Sequence, residues 1–211
     1  GYAAQDLCAK CKFEEVAYLI LNGELPNKKQ LKNFEKQESE ERKISKSLMN
    51  AIKSIPKNAH PMDVARTAVS IMGLEDKDTK DNSPKANMRK VMRIFAKTPV
   101  ALAAFYRTRK GKKIILPKKK LSFSENFFYM CFGKVPNKDI VKAFDVSLIL
   151  YAEHSFNVST FTARTITSSL SDIHGAITGA IASLKGPLHG GANEEVMHMM
   201  NKIKKPENAH K

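Results

Sequence analysis

The segment GPLHGGANEEV, residues 186–196, places a histidine in a turn that is rich in glycine. Glycine lets a ligand approach the backbone closely. A helical pattern begins at Ala192, and the start of a helix supplies unpaired N–H donors and a partial positive charge. That environment keeps an imidazole neutral, so that it can donate a hydrogen bond to an anionic ligand or a developing enolate oxygen. His189 is therefore a candidate catalytic residue, and the alternative is a simple capped turn.

A second candidate, His154, lies where an apolar helical pattern ends and a polar loop begins. SLILYAEH precedes the loop, and SFNVST contains residues that can cap the next helix. A side chain at a helix end that faces a loop can contact a ligand. The other histidines lack a catalytic partner in the sequence and are predicted to be structural, with a turn or cap role for the one before Pro61. They are His60, His174, His198 and His210.

The elements that position these residues are predicted to be helices. A lysine-rich segment covers residues 28–54, and no alternating strand pattern or internal repeat is apparent. Helical apolar spacing recurs over residues 13–22, 62–72, 86–106, 124–132, 137–153, 158–170, 173–185 and 192–204. The predicted fold class is therefore all-α, with many helices joined by short turns.

The bulk composition is that of an ordinary globular protein. The 211 residues are 42% hydrophobic, enough for one sizeable domain or one domain and part of another. No apolar run approaches the roughly 20 residues of a membrane span, and no signal peptide is visible. Three cysteines favour a reducing, cytosolic-type compartment. Cys8 and Cys11 form a CxxC pair without further ligands nearby, so we interpret it as chance or helix packing and predict no metal site.

The net charge of +15 favours acidic partners. Eight basic residues lie in RTRKGKKIILPKKK, residues 107–120, which defines the basic segment. An alternative function is therefore non-catalytic binding of nucleic acid or an anionic surface through this segment. Among aromatic residues only Tyr106 lies beside it, so few rings are available to stack on nucleic-acid bases, and a nucleic-acid partner is not expected. The other interpretation is a solvated surface loop.

Two of these motifs together resemble the citrate synthase family, which includes the 2-methylcitrate synthases. They are GPLHGGANEEV and LYAEHSFNVSTFTAR, residues 150–164. SLSDIHGAITGAIASLK and FEEVAYLILNGELPNKKQL are similar to the same family, so the resemblance covers nearly the whole chain in order. It implies a multi-helical citrate-synthase-like fold, a homodimer, and a location in the cytoplasm, or in the mitochondrial matrix of a eukaryote. Residues 1–155 would belong to the large domain and residues 156–211 to the beginning of the small domain.

The resemblance also implies a reaction. Oxaloacetate binds first, an acyl-CoA loses a proton beside its thioester carbonyl, the enol attacks the ketone, and the thioester is hydrolysed. Acetyl-CoA gives citrate and propionyl-CoA gives 2-methylcitrate, and no cofactor is needed because the acyl-CoA is a substrate. One methylene in an apolar pocket contributes only about 1–3 kcal/mol, so use of both thioesters is expected. Cleavage of citryl-CoA, as in other enzymes of the superfamily, stays open.

Site residues follow from the matched motifs. His189 matches the histidine that donates a hydrogen bond to the thioester carbonyl, and His154 matches a histidine that binds oxaloacetate. Ser159 resembles the serine that orients the catalytic imidazole, and Asn157 resembles a polar residue near the oxaloacetate pocket. Residues that bind the CoA nucleotide are unknown. The family's later GHxV and Asp-Pro-Arg motifs and its general-base aspartate are not found before Lys211. We therefore expect an internal piece of a longer protein that is inactive by itself.

Overall fold

A computed structural model describes residues 1–152, 155 and 157–209. The described part is helical and contains no strand, which confirms the all-α prediction. The helices are α1 Ala4–Lys10, α2 Phe13–Asn22, α3 Lys28–Glu41, α4 Lys46–Ser54, α5 Pro61–Glu75, α6 Pro84–Arg109, α7 Phe123–Phe132, α8 Lys138–Ala152, α9 Val158–Ser168, α10 Ile173–Leu184 and α11 Gly191–Ile203, followed by a short 3-10 helix, Pro206–Asn208.

Short polar side chains begin many of these helices, because they accept a hydrogen bond from an N–H group of the first turn. These N-cap residues are Asn27, Ser45, Ser83, Ser122, Asn157 and Asp172. Ser45 divides the lysine-rich segment 28–54 into α3 and α4, since its hydroxyl accepts from the N–H of Leu48 at 2.9 Å. The ring of His60 has the same role before α5, which confirms the cap predicted from its place before Pro61.

The longest helix, α6, lies between two hydrophobic clusters. One cluster lies among α4, α5, α6 and α7, where Leu48, Val64 and Phe105 are almost fully buried. The other cluster lies among α2, α3, α6 and α8, around Phe34 and Ile149. Because α5 packs on α6, its position is set by the first cluster. The core therefore provides a fixed support for α5 and for the helices that pack on it.

A buried ion pair joins α3 to the basic segment. The Arg42 guanidinium donates to Glu38 through Nε at 2.8 Å, and its Nη1 donates to the carbonyl oxygens of Lys118 and Leu121 at 2.8 and 2.9 Å. Both side chains are almost inaccessible, with exposed fractions of 4% and 2%. Burial raises the pKa of the Glu38 carboxyl, and the hydrogen bonds and charge of Arg42 oppose that rise. The pair holds the backbone at one end of the basic segment against the body of the protein.

The helices that carry the candidate site pack on α5. α9 and α10 lie against each other, and α10 lies against α5 and α6. A Cβ atom on Gly73 of α5 would lie 2.8 Å from the Cβ atom of His174, so this glycine allows α5 and α10 to approach. α11 leaves Val196, Met199 and Met200 about half exposed. The division into domains at residues 155 and 156 stays a prediction.

Candidate active site

His189 lies in the turn between α10 and α11, which we call the His189 turn, residues 185–190. Its backbone N–H donates to the carbonyl oxygen of Gly186 at 3.0 Å, and the N–H of Gly191 donates to the same oxygen at 3.1 Å. A Cβ atom on Gly190 would lie 2.5 Å from the carbonyl oxygen of Leu184. The compact turn itself therefore requires glycine here, apart from any approach of a ligand.

The sequence predicts unpaired N–H donors at the start of α11, and for the first three residues of that helix the prediction is wrong. The N–H groups of residues 191–193 donate to the carbonyl oxygens of Gly186, His189 and Gly190 at 3.1, 3.2 and 3.1 Å. The turn folds back on the helix start and uses these donors itself. As a result, the His189 turn and the first residues of α11 form one hydrogen-bonded unit.

The structure brings His189 and Ser159 together, although 30 residues separate them. The Ser159 hydroxyl oxygen lies 2.8 Å from Nε2 of the half-buried imidazole. Ser159 is in the first turn of α9, and Asn157 caps that helix by accepting from the N–H of Thr160 at 3.0 Å. If the serine hydroxyl donates to Nε2, the ring proton resides on Nδ1, since each neutral imidazole carries one proton. The contact therefore links the tautomer of the ring to the orientation of the serine hydroxyl.

Both residues line a cavity of about 720 Å³. Asn157 also lines it, together with Lys185 and Glu194, so the cavity carries charges of both signs. The side-chain oxygen of Asn157 is used by the α9 cap, and the amide nitrogen is its remaining donor. His154 lies outside the described residues. Three of the four predicted site residues, His189, Ser159 and Asn157, therefore line one cavity. The roles predicted for all four stay predictions.

Sequence reasoning missed two contacts between α5 and this cavity wall. His60 Nε2 lies 3.0 Å from Oε2 of Glu194, and Lys185 Nζ donates to Oδ2 of Asp63 at 2.7 Å. The hydrogen bond from Lys185 lowers the pKa of the Asp63 carboxyl. The hydrogen bond with His60 likewise lowers the pKa of Glu194. The partners are separated by 134 and 122 residues, so no local pattern could have paired them.

A second cavity, of about 530 Å³, lies beside His174. This side chain is 2% exposed, and neither ring nitrogen makes a hydrogen bond within the described part of the chain. Its Nε2 lies 3.4 Å from Asp76 and its Nδ1 lies 3.6 Å from Asp172. Burial lowers the pKa of His174, although both carboxylates oppose the shift. The residue packs between α5 and α10, as the structural interpretation predicts.

The basic segment is a loop held to the body by its backbone. Besides the contacts of Arg42, the Arg107 guanidinium donates to the carbonyl oxygen of Cys131 at 3.1 Å. Residues 118–120 are exposed, and the Lys118 ammonium lies 4.1 Å from the centre of the Tyr129 ring. The Tyr129 ring is thus in contact with a lysine of the segment itself. The solvated-loop interpretation therefore accounts for these contacts without a ligand.

The CxxC pair is part of a helix end. Cys11 caps α1, and Lys142 Nζ donates to the carbonyl oxygens of Cys8 and Cys11, both at 3.2 Å. Burial raises the pKa of the Cys11 thiol, and both cysteines are free thiols. Over the described ranges no group of three or more histidine, cysteine, aspartate or glutamate side chains could hold a metal ion. None of the helices searched there is long and apolar enough to cross a membrane.

Comparison with known proteins identifies the family. The whole chain, residues 1–211, matches the family described as "Citrate synthase, C-terminal domain". The chain belongs to the citrate synthase family. This result confirms the resemblance that the two histidine motifs carry. The fold agrees, because the chain superposes on the crystal structure of citrate synthase from Pyrobaculum aerophilum with a TM-score of 0.92 at 33% identity, over 99% of this chain and 54% of that one.

Curated relatives in the citrate synthase family carry two different names. The chain is 50% identical to the 2-methylcitrate synthase of Mycobacterium tuberculosis H37Rv, over 99% of this chain and 53% of that protein. It is 49% identical to the citrate synthase of Mycolicibacterium smegmatis, over 99% of this chain and 56% of that protein. A ternary complex of Thermoplasma acidophilum citrate synthase with carboxymethyl coenzyme A and oxaloacetate matches at a TM-score of 0.89 and 32% identity, over 98% of this chain and 54% of that one. The chain thus spans about half the length of the relatives it matches.

Proposed function

We propose that the protein to which this chain belongs condenses an acyl-CoA with oxaloacetate and releases CoA. Acetyl-CoA would give citrate, and propionyl-CoA would give 2-methylcitrate. The observation that carries the proposal is the contact between the Ser159 hydroxyl and Nε2 of His189 on the wall of a cavity. The names of relatives near 50% identity support the same reaction class. No cofactor is required, because the acyl-CoA is itself a substrate.

The imidazole of His189 would stabilise the enol. A proton beside a thioester carbonyl is weakly acidic, and its removal places negative charge on the carbonyl oxygen. A donor that is already in position stabilises this charge without reorganisation. An N–H group of the His189 imidazole, held in place by its contact with the Ser159 hydroxyl, would be that donor. We assign the general base to no residue of this chain, which spans about half of its relatives.

Oxaloacetate would be bound by His154 and Asn157. Oxaloacetate is a dianion, and side-chain donors at helix ends suit its carboxylates. The amide nitrogen of Asn157 can donate while its oxygen caps α9. A relative solved with oxaloacetate and a CoA analogue supports the same pair of substrates.

The proposal includes both thioesters, a dimer and a cytoplasmic location. Relatives named for citrate and for 2-methylcitrate match almost equally well, at 49% and 50% identity. One extra methylene changes binding in an apolar pocket by about 1–3 kcal/mol, so a single site can accept both. Phe161 is 72% exposed on α9, and a second copy of the chain would cover it. The bacterial origin of the relatives supports the cytoplasm.

Release of free thiol tests the reaction. The full-length protein would be mixed with oxaloacetate and either acetyl-CoA or propionyl-CoA, with His189→Ala and the exposed His198→Ala compared in parallel. We expect release that His189→Ala reduces by on the order of a hundredfold or more and that His198→Ala leaves unchanged. The ratio of the two rates would identify the preferred thioester. No release from folded wild-type protein, or equal release by His189→Ala, would refute the proposal.

Nothing in the contacts of the basic segment favours the alternative of nucleic-acid or anionic-surface binding. Replacing Lys118, Lys119 and Lys120 by glutamine provides the test, because phosphate binding depends on such charges and on salt. We expect thiol release to persist in this variant and its salt-dependent retention on a nucleic-acid matrix to equal that of wild type. A marked loss of retention would revive the alternative.

A further inference from the structure

Two side chains in the first turn of α5 contact the chain on either side of His189. Asp63 accepts from Lys185, which lies four residues before His189. His60 contacts Glu194, which lies five residues after His189. We propose that these two contacts, which we name the α5 clamp, position the His189 imidazole for the reaction. The inference rests on the proposed function and assigns four positioning residues to it.

The first turn of α5 is suited to be a fixed reference. Pro61 starts the helix with its φ already set by the ring. The next turns bury Val64, Ala65 and Val69, with exposed fractions of 1%, 3% and 0%. A close-packed protein interior resists displacement of the groups buried in it. Side chains that extend from this turn therefore hold their partners relative to the core.

The ring of His60 makes its two contacts in a single tautomer. Its Nδ1 accepts from the backbone N–H of Met62 at 3.2 Å, so Nδ1 carries no proton. The proton of the neutral ring then resides on Nε2 and donates to the Glu194 carboxylate at 3.0 Å. Capping α5 thus fixes the orientation in which the ring binds α11.

The contact with Glu194 acts on His189 through the backbone. The N–H of Ala192 donates to the carbonyl oxygen of His189, and the N–H of Gly191 donates to that of Gly186. The His189 turn and the start of α11 therefore move together. Further along α11, Met197 and its neighbours are largely exposed and give this helix little packing of its own. Displacement of a catalytic group by about 1 Å can reduce a rate by on the order of a hundredfold.

Substitution at residue 60 can separate capping from positioning. His60→Asn keeps a good N-cap, as Asn27 and Asn157 do elsewhere in this chain, but asparagine is too short to reach Glu194. We expect the full-length variant to keep its melting temperature while kcat falls by on the order of ten- to a hundredfold and KM for oxaloacetate changes little. Glu194→Ala should have the same effect, and Glu194→Gln, which retains an acceptor oxygen, should recover much of the rate.

Each contact has a matched control. His198 lies one turn from Glu194 and 3.8 Å from its carboxylate, so His198→Ala removes a neighbour of Glu194 and leaves the clamp. Arg66 forms an ion pair with Asp63 at 3.0 Å, so Arg66→Gln removes a neighbour of Asp63 and leaves its contact with Lys185. We expect both controls to retain wild-type kcat, while Asp63→Ala lowers it. Wild-type kcat in His60→Asn and Glu194→Ala, with His189→Ala inactive, would overturn the clamp and leave the proposed function intact.

A spectroscopic measurement tests the clamp even if the proposed function fails. In full-length protein with 13C-labelled histidine rings, the signal of His189 is assigned by its loss in His189→Ala. We expect that signal to shift in Glu194→Ala and to stay in place in His198→Ala. An unchanged His189 signal in Glu194→Ala would overturn the proposal, whatever the turnover.

Discussion

Replacing Ser159 by alanine tests how the imidazole of His189 is held. The change removes a hydroxyl that lies 2.8 Å from Nε2 and creates little empty space in a half-buried wall. A neutral hydrogen bond contributes about 0.5–1.5 kcal/mol, and each 1.4 kcal/mol is about tenfold in rate. Loss of the bond alone therefore predicts a decrease in kcat of about two- to tenfold. Loss of the preferred tautomer adds to it, up to the effect of His189→Ala.

The assay is thiol release by the full-length protein with saturating oxaloacetate. KM for oxaloacetate should change by less than about twofold, because an interaction made in the transition state affects kcat. Thr162→Ala is the matched control, since that hydroxyl donates to the carbonyl oxygen of Val158 on the same helix at 2.9 Å. A folded Ser159→Ala variant with wild-type kcat would refute the idea that this hydroxyl sets the tautomer.

Three further predictions concern stability and the His189 turn. Arg42→Met leaves Glu38 buried without its partner and should lower the free energy of unfolding by about 3–5 kcal/mol in urea denaturation, and adding Glu38→Gln should recover much of the loss. His174 has a lowered pKa in the folded state, so it binds fewer protons there than in the unfolded state. Stability should therefore fall as the pH decreases through about 6.5, and His174→Asn should weaken this dependence in thermal melts, whereas an equal dependence would contradict the assignment. Gly190→Ala brings a methyl group against the carbonyl oxygen of Leu184, so we expect a cost of about 1–3 kcal/mol and a reduced kcat, and wild-type values for both would contradict the close contact.

Local features of the chain were predictable because their causes lie within one or two helical turns. Caps such as Asn157 or His60 need only the N–H groups that follow them, so sequence order reveals them. The break between α3 and α4 at Ser45 has the same local cause, although the lysine-rich pattern around it hid the break. The two histidine motifs are specific enough to identify the family from the sequence.

What the sequence by itself determined is the all-α class, the family, and His189 and Ser159 as residues to examine. Only the tertiary structure decided that Ser159 reaches Nε2 and that α5 contacts both sides of the turn. It also showed that the first three N–H groups of α11 are already paired and that Gly190 is required by its close approach to the last residue of α10, Leu184. The physical reason is that such contacts depend on how helices pack against one another. Packing is set by interlocking side chains far apart in the chain, and no local pattern records it.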